Sequence, residues 1–194
     1  MSLEEIYVLV VVIIYLLAFF YRNLKTSFQV KVSIRGKSLK LTFSLILSTI
    51  IYVIVLANIF NPSITNFLGR LGFLQHTSIK YFGYLLIIVA LFIGLAALIE
   101  MKNSWRVGIK YDQKTKLITS GIYAFSRNPY FLSYDLLFLG FFLIYPSLTL
   151  LILYFVLVIT FHQMILEEES YLQQVQGEQY VRYKNSIGRY FFIF

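Results

Sequence analysis

Five stretches of the chain are almost wholly apolar: residues 6–21, 41–60, 81–99, 130–145 and 147–166. Within them the only formally charged side chain is Asp135, and the only imidazole is His162. None shows the two-residue alternation of a half-buried strand, and each is hydrophobic all round, as a helix in lipid is. A bilayer span takes about 20 residues, with about 17 as the lower limit, so the first and fourth stretches are short. The pattern predicts an all-α integral membrane protein with about five transmembrane helices. Pro146 separates the last two stretches with almost no loop, which predicts a tight helical hairpin. No repeat or linker divides the chain, so residues 1–194 read as one membrane domain, with 100–129 and 167–194 outside the spans.

Composition agrees with this. Of 194 residues, 59% are hydrophobic and 13% charged, with 19 Phe and 16 Tyr. Soluble domains carry about 25% charged residues. Cysteine is absent, which excludes disulfides, thiol nucleophiles and thiolate-held metals. His76 and His162 have no metal-ligand spacing around them, so no metal site is expected.

The formal charge of +8 raises the question of nucleic acid, and its distribution answers it. Arg22, Lys25, Lys31, Arg35, Lys37 and Lys40 lie between the first and second stretches. Lys102, Arg106, Lys110, Lys114, Lys116 and Arg127 lie between the third and fourth. The second-to-third connection holds only Arg70 and Lys80. Alternate connections are therefore basic, which the positive-inside rule reads as an outside N-terminus and a cytoplasmic C-terminus. Basicity here means topology and anionic lipid, with no nucleic-acid partner expected. Glu4 and Glu5, with no small-x-small site downstream, read the first stretch as a retained anchor rather than a signal peptide.

The chemistry collects after residue 100. A polar connection of about 30 residues is long for a small membrane domain and points to function. It carries Trp105, the only tryptophan, which reads equally as an interfacial anchor, and Gly108 and Gly121, which allow tight turns. Arg127-Asn128-Pro129 follows. Asn suits an N-cap and Pro the first helical position, so a helix start beside Arg127 offers an anion seat. Asp135 lies about two turns further in, where an ionisable group marks a paired or functional site. Glu167, Glu168 and Glu169 stand at the exit of the last stretch. Adjacent helical residues point about 100° apart, so at most two of these face inward together. A solvated acidic turn is the plainer reading. Both clusters fall on one membrane surface, and together they make room for a zwitterionic or cationic ligand.

Over residues 100–191 the chain resembles the isoprenylcysteine carboxyl methyltransferase family, in its bacterial and archaeal form, and the related phospholipid methyltransferases. The resemblance rests on Asn103-Ser104-Trp105-Arg106-Val107-Gly108-Ile109 and on Leu117-Ile118-Thr119-Ser120-Gly121-Ile122-Tyr123. It continues through Arg127, Asn128, Pro129 and Ser133, then Glu168, Glu169, Leu172, Gly177, Tyr180, Tyr183 and Arg189. The departures are Phe131 where the family has Tyr, Asn128 for His, Met164 for a basic residue, and no Pro after Arg189. The resemblance implies methyl transfer from S-adenosylmethionine to a lipophilic or prenylated acceptor reached from the bilayer. It further implies Arg127 and Glu168 as catalytic residues, and Asp135 joins them as a catalytic candidate on its depth in the helix. Gly121, Tyr123, Asn128, Pro129, Phe131, Glu168, Glu169, Tyr180, Tyr183 and Arg189 are implied around the cofactor. The style of the motifs suggests a prokaryotic inner membrane. A nicotinamide-dependent, sterol-reductase-like oxidoreductase and a small transporter or scaffold stay open beside this reading, as do the acceptor and the oligomeric state.

Overall fold

The computed structural model describes residues 2–31, 33–111 and 116–190. Lys114, from the basic connection, and the tail residues 191–194 lie outside the described residues. The long helices are α1 (Leu3–Val30), α2 (Leu39–Phe60), α4 (Thr77–Met101), α5 (Pro129–Ile144) and α6 (Leu148–Gln176). Short α3 (Ser63–Phe67) and α7 (Glu178–Ser186) complete the set. Among the described residues β-pairing is limited to two isolated bridges, Arg35 with Val107 and Arg70 with Ser147.

Four helices, α1, α2, α4 and α6, are long and apolar enough to cross a membrane. The fourth apolar stretch forms α5, whose 16 residues give about 24 Å of helix, short of the ~30 Å hydrocarbon core. The fold is thus all-α, with four candidate spans and one shorter apolar helix. Helix α1 is much longer than its apolar stretch, because helix formation does not stop where hydropathy does. Arg22, Leu24 and Lys25 are good helix formers, and α1 continues to a left-handed cap at Lys31, whose N–H donates to the Ser27 carbonyl at 3.0 Å.

The five long helices form a closed ring in the order α1, α4, α5, α6, α2. Lipid tails are as apolar as the helices, so close backbone approach takes over the role that hydrophobic burial has in water. Helix α4 supplies it with Gly83, Ala90, Gly94 and Ala97 on its buried face. A Cβ on Gly83 would sit 2.9 Å from the Gly140 carbonyl, and one on Gly140 would sit 2.4 Å from Ile87 Cγ2. Gly94, a minor interruption in the apolar pattern, meets Ser133 and Tyr15 in the same way. Outward-facing Phe43, Val53, Phe82, Phe92 and Phe155 are exposed and face where lipid lies.

Contacts between ends fix the alternation. At one end Glu4 pairs with Lys80, and the α5–α6 hairpin docks on the 68–71 segment through Leu71 N to Pro146 O and Leu148 N to Gly69 O. At the other end Lys40 pairs with Glu167, Gly36 N–H donates to Val107 O, and Trp105 Nε1 donates to Asn23 Oδ1. Among the described residues every Lys and Arg except Arg70 and Lys80 belongs to this second end. The start of α5 and the exit of α6 therefore share one end of the ring.

Candidate functional site

The site lies at the basic end. The segment before α5 turns through Gly121, whose φ is +60° and where a Cβ would meet Glu100 Cδ at 2.8 Å. Tyr123 follows in a short 3-10 turn and is buried. Pro129 opens α5 at its first position, as the sequence predicts. Asn128 occupies the N-cap position without a side-chain cap bond. Its amide points elsewhere: Nδ2 reaches Glu169 Oε1 and the Arg189 carbonyl, each at 3.4 Å, and Ser126 Oγ accepts its backbone N–H. Tertiary partners that bind an amide from two sides have displaced the local cap.

The C-terminal segment is stitched back onto this turn. Arg127 N–H donates to Gly188 O at 3.0 Å, and the Tyr183 hydroxyl donates to Tyr123 O at 2.7 Å. Glu169, buried, accepts from Arg189 Nε and Nη2 at 3.0 Å each, and Arg127 Nη2 lies 3.3 Å from it. Burial would raise this carboxyl, but the Arg189 hydrogen bonds and the Arg127 charge outweigh it and hold it below its ordinary value. The Arg189 guanidinium is raised in return, mainly by its bonds to Glu169.

A cavity of about 310 Å³ opens beside this cluster. At its basic end it is lined by Tyr123, Arg127, Asn128, Glu168, Tyr180 and Tyr183, with Arg106 and Lys116 from the long connection. Deeper in, the lining turns aromatic and aliphatic: Trp105, Tyr130, Phe131, Tyr134 and Phe161, then Leu16, Phe19 and Phe20 of α1 and Leu45 and Tyr52 of α2. Trp105 is 3% exposed and packs edge-on against Tyr130 at 4.9 Å, so it is a wall of the cavity and not an interfacial anchor.

Two features leave this site chemically incomplete. The Arg127 side chain is 8% exposed, and its Nε and Nη1 have no hydrogen-bond partner. Glu169 meets this guanidinium at Nη2 alone, and its two remaining buried donors are costly until a further acceptor meets them. The apolar part of α6 ends at Leu166, and Glu168 lies beyond it on the cavity wall. Among the described residues Glu168 makes no ion pair or hydrogen bond. Burial, and then the neighbouring Glu169 charge, pushes it up to about 7. A guanidinium with two open donors and an unpaired carboxyl line the same space, a seat for a ligand that carries both signs of charge. The Tyr123 and Tyr180 hydroxyls are also pushed up by burial, Tyr180 to about 12, so both remain hydrogen-bond donors.

Of the residues singled out in the sequence, Tyr123, Arg127, Asn128, Phe131, Glu168, Tyr180 and Tyr183 come together on the cavity. Gly121, Pro129, Glu169 and Arg189 stand behind that wall and hold it in shape. Asp135 does not line the cavity, although it follows Tyr134, which does. Its Oδ1 is buried without a partner elsewhere in the fold. Sequence reasoning missed Tyr130, Tyr134, Arg106 and Lys116, and the whole contribution of α1 and α2. Phe19, Phe20 and Tyr52 carry no motif. Asn23, polar and directly beside Arg22, is the one signal that α1 reaches the site.

Residues 79–179 match the family model described as phospholipid methyltransferase. The chain is also similar to Protein-S-isoprenylcysteine O-methyltransferase A of Arabidopsis thaliana, 28% identical over 160 residues that cover 81% of each protein. The chain belongs to the phospholipid methyltransferase family. It is a multi-pass membrane methyltransferase that takes its methyl group from S-adenosylmethionine and acts on a lipophilic acceptor. The oxidoreductase and transporter readings fall away.

Proposed function

We propose that this protein methylates a carboxylate on a lipophilic acceptor of the prenylcysteine kind, at the cytoplasmic face of the membrane. The observation that carries this reading is the charge of the cavity wall. On that wall Arg127 keeps two nitrogens without a partner and Lys116 adds a second cation, against the one carboxylate of Glu168. That balance suits two anionic groups and one ammonium, which is what a carboxylate acceptor and the donor bring together. The likeness to an isoprenylcysteine methyltransferase points the same way.

In this reading the open nitrogens of Arg127 hold the donor's carboxylate, and Glu168 holds its ammonium. Tyr123, Tyr180 and Tyr183 flank its nucleoside and sulfonium parts. Asn128, Pro129 and Gly121 shape the helix start, and Glu169 with Arg189 ties the tail across it. When bound, S-adenosylmethionine supplies a methyl group activated by a sulfonium. The acceptor's apolar chain lies along Phe19, Phe20, Leu45 and Tyr52, entering from lipid between α1 and α2. The protein's part is to align two reactants in line and to keep water out, and a carboxylate nucleophile needs no base. The basic end of the ring is taken as cytoplasmic, with the N-terminus outside, α5 as a fifth, shallow span and 167–190 as part of the cofactor region. Asp135 has no role in this scheme.

The family match to phospholipid methyltransferase favours one rival, an amine headgroup as acceptor. An amine must lose a proton, and Glu168 is the carboxylate on the wall able to take it. The test is to give purified protein radiolabelled S-adenosylmethionine with N-acetyl-S-farnesylcysteine or with phosphatidylethanolamine. A base-labile methyl ester on the first supports the proposal. Base-stable N-methyl label on the second, with none on the first, replaces it with the rival.

A further inference from the structure

A second cavity, of about 680 Å³, lies at the same end of the ring, outside the site described above. Arg22, Lys25, Lys102 and Lys116 line it, against one carboxylate, Glu100. Met101, Ser104 and Lys116 to Ile118 line both cavities and form the wall between them. Glu100 accepts through Oε1 from the Ser120 hydroxyl, which lines the same cavity, and it makes no ion pair with Arg22 among the described residues.

Arg22 sets this cavity apart from a merely basic surface. It is 8% exposed, yet its Nε and Nη2 have no hydrogen-bond partner. A guanidinium withdrawn from water with two open nitrogens is strongly unfavourable unless an anion completes it. The planar fork of arginine matches a phosphate bidentately, and lysines add point charge around it. Lys25 stands 5.5 Å over the Tyr21 ring. Tyr21 and Leu24, on either side of Arg22 along α1, are exposed at 63% and 61%. The cavity therefore sits where the lipid-facing apolar surface of α1 gives way to the basic end, at headgroup depth.

We propose that this second cavity binds a phosphate-bearing anion, with the Arg22 fork on the phosphate and Lys25 and Lys102 around it. The source is an anionic phospholipid headgroup or a soluble phosphate. The site is independent of the methyl-transfer reading, since it requires only binding.

The experiment uses the full chain in phosphatidylcholine nanodiscs, in nanodiscs containing phosphatidylglycerol, and in phosphatidylcholine nanodiscs with sodium phosphate against sodium chloride of equal ionic strength. Thermal midpoints are compared for wild type, Arg22→Gln, the pair Lys25→Gln with Lys102→Gln, and the pair Arg35→Gln with Lys37→Gln. The last pair removes equal charge outside the cavity. The expected result is a wild-type rise of about 2–4 °C in at least one anionic arm. Arg22→Gln abolishes the rise, the cavity lysine pair reduces it, and the outside pair leaves it intact. In neutral discs Arg22→Gln melts no lower than wild type, since it removes an uncompensated charge. Should Arg22→Gln fail to fold, the two lysine-bearing pairs carry the comparison. A rise with phosphatidylglycerol alone assigns the lipid as source, and a rise with phosphate in neutral discs assigns the soluble anion. No rise in any arm overturns the proposal, as does a rise that survives in the cavity variants and disappears with the outside pair.

Discussion

Arg189 clasps Glu169 through two parallel hydrogen bonds, Nε to Oε1 and Nη2 to Oε2, both at 3.0 Å. This clasp closes the C-terminal segment over the start of α5 and neutralises one member of an adjacent acidic pair. The other member, Glu168, is left facing the cavity. Two neighbouring glutamates thus have opposite surroundings, and substitution separates them.

Glu169→Gln leaves Arg189 and the buried Arg127 without their carboxylate. Breaking a mostly buried ion pair from one side costs about 3 kcal/mol. The expected outcome is a clear drop in melting temperature with loosening of the tail, read by protection of the 180–190 amides in hydrogen exchange. An unchanged melting temperature would show the clasp to be incidental.

Glu168→Gln should do the reverse. It removes a carboxyl that has no partner within the protein, so stability holds or improves while donor binding and methyl transfer are lost. Full activity in this variant would remove Glu168 from the site.

The same carboxyl gives a pH dependence with a defined sign. Its folded value of about 7 lies above the ordinary carboxylate value of 4.5. Between these values the folded protein holds a proton that the unfolded chain releases, so this group's contribution to stability falls as pH rises through that window. A donor ammonium needs the charged form, so affinity for S-adenosylhomocysteine should rise with pH up to about 7 and then level off. Glu168→Gln should flatten both trends. Equal slopes in wild type and variant would exclude Glu168 as the titrating group.

Trp105 is the only tryptophan and walls the cavity, so intrinsic fluorescence reports directly on the site. S-adenosylhomocysteine should change its intensity with a saturable dependence. Trp105→Phe keeps most of the packing and loses the bond to Asn23, for an expected cost of about 1 kcal/mol. Fluorescence indifferent to ligand at saturation would place the ligand elsewhere.

Gly140→Ala tests the ring itself. The added methyl group meets Ile87 Cγ2 at 2.4 Å and the Gly83 carbonyl at 2.9 Å. Overpacking of this kind costs about 1–3 kcal/mol, and detergent-solubilised variant should melt lower in proportion. A melting temperature equal to wild type would mean that α4 and α5 are not so closely packed.

The apolar stretches were legible because lipid-facing helices are apolar all round, and four of them became helices long enough to cross. The end of α1 was not legible, since Arg22 to Val30 extend the helix beyond its hydropathy. The motif side of the site could be read from Arg127, Glu168, Tyr180 and Tyr183, whose types declare charge and hydrogen bonding. The opposite wall could not: Phe19, Leu45 and Tyr52 look like any other lipid-facing residues until the ring closes. Asn128 shows the limit of local rules, because a good capping residue turned to Glu169 and Arg189 instead. Asp135 shows another, since depth in a helix does not say which face a residue takes.

Calorimetric titration of S-adenosylhomocysteine into wild type, Arg127→Gln and Glu168→Gln decides whether these two side chains grip the donor. Each variant, still folded, is expected to bind at least about tenfold more weakly, the loss of one charge-assisted contact. Wild-type affinity in both variants would contradict a donor gripped between the start of α5 and the exit of α6.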